Sequence, residues 1–472
     1  MKKVIAIIGA VLLISLMLVV AVNWSVIQQI ATFSPIIMPN SGPAPANEAE
    51  ARLRDIEYLA KLVDYDRSFD DAARIQFEEL MTSGRQEAET MTLAQLYLLA
   101  SEAAALADNG HTGVATPVTR DFNSVGVRYF AFEDGLYVVR ALAEHEHIIG
   151  GRVLEIDGQP VDSVLAALNS YVGGAEGWRQ LYAILLLESA EILHAAGLAE
   201  SPNGYALTVQ DQQGSTHEVE LTAQAPEAAE ENPFRTPWRA LEARALPDEG
   251  DRWVHSLQDV SDDLLPLYLQ QTEQAYTWTP LENGGGYVRL QTMFNSEQQS
   301  LSAFFDENIK PLPEGSLPYL VVDMRQNPGS DFTLFVEIAK WLPGKVADDG
   351  HLYIVVGPNT FSAGIVGSAL LKYYGGEKSV IIGSPMGDRE QHWADGGLPF
   401  RLPNSDIQVG YATGYHDWAN GCAEHPYCFT QVLKHGVKAG SLTPNPIIEP
   451  QCADYAAGRD VVMEWIYQQE QP

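Results

Sequence analysis

Three apolar runs in the second half of the chain, each broken by a glycine or proline turn, constrain the fold more than any other feature. LPYLVVDM (317–324), HLYIVVG (351–357) and SVIIGSP (379–385) are apolar at consecutive positions. A strand with one face in water alternates apolar and polar residues; a run that does not alternate is buried on both faces. Helical stretches separate the three runs, which predicts a parallel or mixed sheet covered on both sides. This α/β region opens near GGGYVRLQTM (284–293). At 472 residues and 46% hydrophobic, the chain can bury more than one such core.

Upstream the pattern changes twice. Leu53, Ile56, Leu59, Leu62 and Val63 recur at helical spacing, and Leu93, Leu96, Leu99, Ala103 and Leu106 follow Thr92, an expected N-cap. The helical pattern stops at the turn Asp108-Asn109-Gly110. Strand patterns then follow in VGVRYFAF, GLYVVRAL, GRVLEIDGQPV, GYALTVQ and HEVELTA, with Asp157-Gly158 as a hairpin turn. The reading is a mixed α+β, multidomain chain of the α/β class. Residues 49–113 form an N-terminal helical domain, 114–223 a β-rich region, 224–280 an acidic linker or excursion, and 281–472 an α/β core.

The first residues carry a targeting pattern. MKK precedes an uncharged apolar run over 4–22, so 1–30 reads as a signal anchor or a cleaved signal peptide, and the proline-bearing 31–48 as a linker. Export to the periplasmic or extracellular side is the expected localisation, with membrane contact only through this segment. The balance of 29 Lys+Arg against 62 Asp+Glu, a net of -33, argues against nucleic acid, whose phosphates would be repelled. Cys422 and Cys428 in NGCAEHPYC can close a small disulfide loop, although pairing with Cys452 is equally open. Their spacing is not that of a zinc site, and no metal is expected.

Chemistry is expected where apolar strands end in polar turns. LVVDMRQNPGSD (320–331) ends in Asn327-Pro328-Gly329. YIVVGPNTFSAGIVGSALL (353–371) passes through Ser362 into a helix. By itself Ser362 reads as a helix N-cap, a preferred place for serine. The same turn also suits a nucleophile, because the N–H groups at a helix N-terminus can hold an oxyanion.

Taken in order, the D-x-R-x-N-P-G turn, the T-x-S-A turn and a third strand ending in VIIGSPMGD resemble the core of the C-terminal-processing (tail-specific, S41-like) serine proteases. The resemblance implies Ser362 as nucleophile, with the backbones of Ala363 and Gly329 as oxyanion donors. It further implies an α/β core of the ClpP/crotonase-like kind. Ser330 stands where the family has a second glycine, and Asp388, followed by Arg389, stands near the lysine of one branch, so that dyad is absent. Asp108-Asn109-Gly110-His111-Thr112-Gly113 resembles the Asp-Gly-His-Thr motif of the tricorn-like branch, which implies His111 as base. For the acid orienting it, GYATGYHDWANGC offers Asp417, with Glu424 as a second candidate. GGRVLEIDGQPVDSVL resembles the family's PDZ-like stretch, which takes extended peptides. SLTPNPIIEP resembles a further segment, with Asn445 in place of an aspartate.

The implied function is an extracytoplasmic serine endopeptidase, acting on a peptide or protein substrate without a cofactor. The alternative is a catalytically inactive peptide- or ligand-binding protein on the same scaffold.

Overall fold

The computed structural model describes residues 31–34, 38–40, 42–226, 237–246, 249 and 252–471. The apolar run over 4–22 lies outside them, and among the described residues no helix is long and apolar enough to cross a membrane.

Helices α1 (Glu48–Leu59), α2 (Asp71–Glu87) and α3 (Leu93–Ala105) open the fold. Asn47 and Asp70 accept the N–H groups that α1 and α2 leave unpaired, and Thr92 and Gln95 form a capping box on α3. Their buried faces, Ile56, Leu59, Phe77, Met81, Leu96 and Ala100 among them, share one continuous core with the first sheet. Leu53, on the apolar period, is 38% exposed and takes no part in it.

That sheet is antiparallel. β1 (Val127–Phe132), β2 (Gly135–Leu142), β3 (Arg152–Ile156), β5 (Gly204–Gln210) and β6 (Thr216–Thr222) pair in that order, with the short β4 (Gln159–Pro160) beside β3. The β3–β4 turn uses Asp157 and Gly158, both at positive φ (46° and 70°), as a tight hairpin requires. Helices α4 (Val161–Leu168) and α5 (Glu176–Leu186) separate β4 from β5.

Residues read as an acidic linker are in part built into this sheet. β7 (Trp253–His255) pairs with β2, and Glu249 is buried between Arg128 and Arg140, with two bonds of 2.6 Å. The composition misled because this acidic side chain neutralises buried arginines and is not solvated.

The second sheet has the order β12-β11-β10-β9-β8, from β8 (Tyr276–Pro280), β9 (Gly286–Leu290), β10 (Leu317–Asp323), β11 (Val346–Val356) and β12 (Ser379–Gly383). β9 to β12 run parallel, with β8 an antiparallel edge. Leu320, Val322 and Ile354 face one core with helices α6 (Leu301–Asn308), α7 (Val336–Trp341) and α8 (Ala363–Gly375). Tyr319, Val321 and Val355 face another with α9 (Val461–Gln469). Both faces are covered, as uninterrupted apolar runs require. Two small antiparallel strand pairs complete the fold: β13 (Gln391–Asp395) with β16 (Ala412–Asp417), and between them in the chain the hairpin of β14 (Phe400–Arg401) with β15 (Gln408–Val409). β15 reaches back to the helical region, where Ala115 N–H donates to the Gln408 carbonyl at 2.8 Å. This contact joins the segment after α3 to the β14–β15 hairpin.

Candidate active site

β10 and β11 are parallel neighbours, so the turns that follow them leave the sheet side by side. Two buried residues tie them together. Thr360 Oγ1 donates to the Met324 carbonyl (2.7 Å) and accepts from Gly357 N–H (2.9 Å). Asn327 Nδ2 donates to the Leu290 carbonyl (3.0 Å), and its own carbonyl accepts from Phe361 N–H (3.0 Å).

Between these anchors Ser362 sits at φ 50°, ψ -119°, a backbone state that L-residues avoid. Such a conformation costs roughly 1–3 kcal/mol and persists only where its surroundings impose it. Ser362 occupies the N-cap position of α8, yet its side chain makes no capping bond. The hydroxyl is therefore not used in the commonest way a serine at this position is used.

The Gly329 turn touches this elbow. At φ 109°, a Cβ on Gly329 would lie 2.7 Å from both Ala363 N and Ser362 Cβ, so only glycine fits. The Gly329 N–H itself donates to Asn327 Oδ1 at 2.9 Å. Ser330, in place of a second glycine, also has positive φ, 117°.

His111 reaches the same place from the end of α3. Asn109 Nδ2 donates to Thr112 Oγ1 (3.1 Å), which donates to the buried Asp66 carboxylate (2.7 Å). Asp66 also accepts from Ala412 N–H (2.9 Å), which fixes the histidine loop to β16. The imidazole stacks on Phe361, the residue before Ser362, with centroids 4.2 Å apart, and Trp178 stacks on the same ring. His111 Nδ1 meets Asp388 Oδ2 at 3.3 Å, while Nε2 is buried without a partner among the described residues. His111 and Ser362 are thus not hydrogen-bonded to each other, but both line one cavity of ≈ 230 Å³.

The carboxylate on His111 is Asp388, not Asp417. Burial pushes the Asp388 carboxyl up, but the His111 bond and the neighbouring histidines outweigh it and hold it below the usual aspartate value. Asp417 instead accepts from Asn420 N–H at 2.7 Å, closing the turn after β16. The physical reason is strand parity: successive β16 side chains point to opposite faces, so His416 lines the cavity and Asp417 turns away from it. Glu424 is exposed in the loop closed by the Cys422–Cys428 disulfide, and Cys452 is free and buried.

Two further histidines, not singled out by any motif in the sequence, line the site. His111, His392 and His416 stack in a column with centroids 5.5 and 5.1 Å apart and planes within 12°. His416 Nε2 meets Asp395 Oδ2 at 2.6 Å, and the Trp418 indole N–H donates to His416 Nδ1 at 3.1 Å. His392 Nδ1 lies 3.1 Å from the Arg389 carbonyl. The one signal in the sequence was alternation, His392 in QHWAD and His416 in GYHDW each with an aspartate nearby. No group of three or more His, Cys, Asp or Glu among the described residues is arranged to hold a metal ion.

Burial lowers the pKa of His392 from 6.5 to about 3. The folded chain keeps this ring neutral while the unfolded chain protonates it, so the stability it permits is whole above pH 6.5 and falls as the pH drops towards 3. Urea-unfolding free energies should therefore decline on acidification by about 1.4 kcal/mol per pH unit from this group. In His392→Asn that share of the slope should vanish; an unchanged slope would show that the ring does not titrate on unfolding.

No protein-family model matches the sequence, and no curated protein matches it. Among solved structures, the chain is similar to mature CPAF complexed with lactacystin: TM-score 0.55, 15% identity, covering 89% of this chain and 97% of that one. Mature CPAF alone gives TM-score 0.54 and 14% identity, over 90% and 99% of the two chains. At these identities the likeness is one of fold, and it extends over almost the whole of both chains. The photosystem II D1 C-terminal processing protease aligns over 86% of this chain and 98% of its own, with 15% identity and a TM-score of 0.35.

Proposed function

We propose that the protein is a serine peptidase in which Ser362 is the nucleophile, His111 the base and Asp388 the acid that orients it. The observation that carries this reading is the backbone of Ser362, strained at φ 50° with its hydroxyl released from capping, beside a histidine–carboxylate pair. The fold shared with CPAF supports it.

The steps follow from the groups in place. Asp388 holds the Nδ1 proton of His111, leaving the Nε2 lone pair to accept the Ser362 proton as Oγ attacks the peptide carbonyl. The Ala363 N–H, at the start of α8, faces the developing oxyanion. His111 then passes the proton to the leaving amine, and a serine ester remains. Water, deprotonated by the same nitrogen, attacks that ester; the acyl–Oγ bond breaks, His111 returns the proton to Ser362 Oγ, and the carboxylic acid product leaves as its carboxylate. The apolar run over 4–22 and the Cys422–Cys428 disulfide support an extracytoplasmic site of action.

One observation favours a second reading, a peptide-binding protein without turnover: the Gly329 N–H is already engaged by Asn327. Incubation with an unfolded protein substrate, with fragments detected by mass spectrometry, separates the two. Hydrolysis that disappears in His111→Gln supports the peptidase; a folded wild-type protein that binds peptides and releases no fragments contradicts it.

A further inference from the structure

We infer that the cavity beside Ser362 selects a cationic side chain, lysine or arginine, on the residue whose carbonyl is attacked, and that Asp395 is the residue that determines this preference. The inference rests on the peptidase reading and names the substrate class of the same site.

Hydroxyl and amide groups line the cavity at Ser330, Thr333 and Gln431, and its carboxylates give it negative charge. Asp395 and Asp331 both line it, and no lysine or arginine does. Asp331 Oδ1 already serves Thr333, accepting from its N–H at 3.0 Å and its hydroxyl at 2.6 Å. Asp395 is held by His416 Nε2 at 2.6 Å. Because the Trp418 indole can only donate, the His416 Nδ1 that it meets carries no proton, and the single ring proton sits on Nε2. His416 is thus a neutral donor that aims the carboxylate without cancelling its charge. Asp395 is further fixed at φ 59°, a conformation unusual for a residue other than glycine, with its carbonyl accepting from Thr413 Oγ1 at 2.7 Å.

A second, independent feature calls for a donor. His392 is only 4% exposed and lines the same cavity. Its Nδ1 faces the Arg389 carbonyl and must carry the proton there, so its Nε2 presents a bare lone pair. An ammonium or guanidinium group brings several N–H donors and a positive charge, and so answers both Asp395 and His392. The remaining walls, Phe332, Val366, Ala394 and Phe429, suit the methylene stem of such a side chain. A chain of net charge -33 also draws cationic segments towards it.

The test uses the full chain and internally quenched peptides blocked at both termini, differing at one position: lysine, arginine, norleucine or glutamate. Cleavage after lysine and arginine should exceed cleavage after norleucine, the uncharged counterpart of lysine, by about 10²-fold in kcat/KM. Asp395→Asn should collapse that ratio, and Asp395→Lys should turn the preference towards glutamate. Thermal unfolding verifies that both variants fold, and the wild-type ratios stand without them. Norleucine or glutamate peptides cleaved as fast as lysine peptides by the wild type would overturn the inference and leave the peptidase reading intact. The same holds for a preference that returns only when the peptide N-terminus is unblocked, since the cavity would then take a free amine. Cleavage of no peptide at all, by a protein that also fails to degrade an unfolded protein, would overturn both.

Discussion

Ser362→Ala is expected to lower kcat/KM for peptide hydrolysis by about 10⁴-fold or more, with the melting temperature held near that of the wild type. Alanine keeps the backbone at φ 50° and removes only the hydroxyl, which caps nothing. A purely structural serine at an N-cap would behave in the opposite way, losing roughly 0.5–2 kcal/mol of stability on this change. Ser362→Gly sharpens the contrast. Glycine accepts positive φ without a Cβ clash, so relief of strain should raise stability by about 1 kcal/mol while hydrolysis is lost just as completely. A stabilised, inactive glycine variant would mean that the fold holds the nucleophile in a state it would otherwise leave. Peptide assays paired with urea unfolding read both effects.

Asp388→Asn carries the second large effect, a fall of about 10²–10⁴-fold in kcat/KM. The amide can turn its N–H towards His111 Nδ1, which forces the ring proton onto Nε2. The nitrogen meant to accept the Ser362 proton would then have no free lone pair. Geometry survives and the tautomer does not. Asp417→Asn, by comparison, should leave hydrolysis at the wild-type rate, because Asp417 closes a turn with Asn420. Equal losses from the two substitutions would return the orienting role to an open contest.

The parts of the fold that were legible in the sequence are those set by local chemistry. The runs that became β10, β11 and β12 declare burial on both faces without any knowledge of their neighbours. The Asp157-Gly158 hairpin and the Thr92 cap depend on a few consecutive residues. Ser362 and the Asn327-Pro328-Gly329 turn were also visible, because a strand–turn–helix passage places its own residues.

What failed to show depends on contacts across long separations or on strand parity. His111 and Asp388 are 277 positions apart and meet only when the loop after α3 packs on Phe361. In the sequence Asp388 looked like a lost lysine, and its own charge went unread. His416 and Asp417 differ by one position, and one position in a strand decides which side chain enters the cavity. Glu249 looked solvated in an acidic stretch because the arginines that bury it, Arg128 and Arg140, lie 121 and 109 positions upstream.

The central claim is that Ser362 is an activated nucleophile, and covalent labelling tests it most directly. The folded protein is treated with a phosphonylating serine reagent, and the adduct is located by peptide mass spectrometry. The account predicts one adduct per chain, on Ser362, formed at a rate that drops sharply in His111→Gln and Asp388→Asn. A folded protein that takes up no label, or takes it on another residue with Ser362 unmodified, would contradict it.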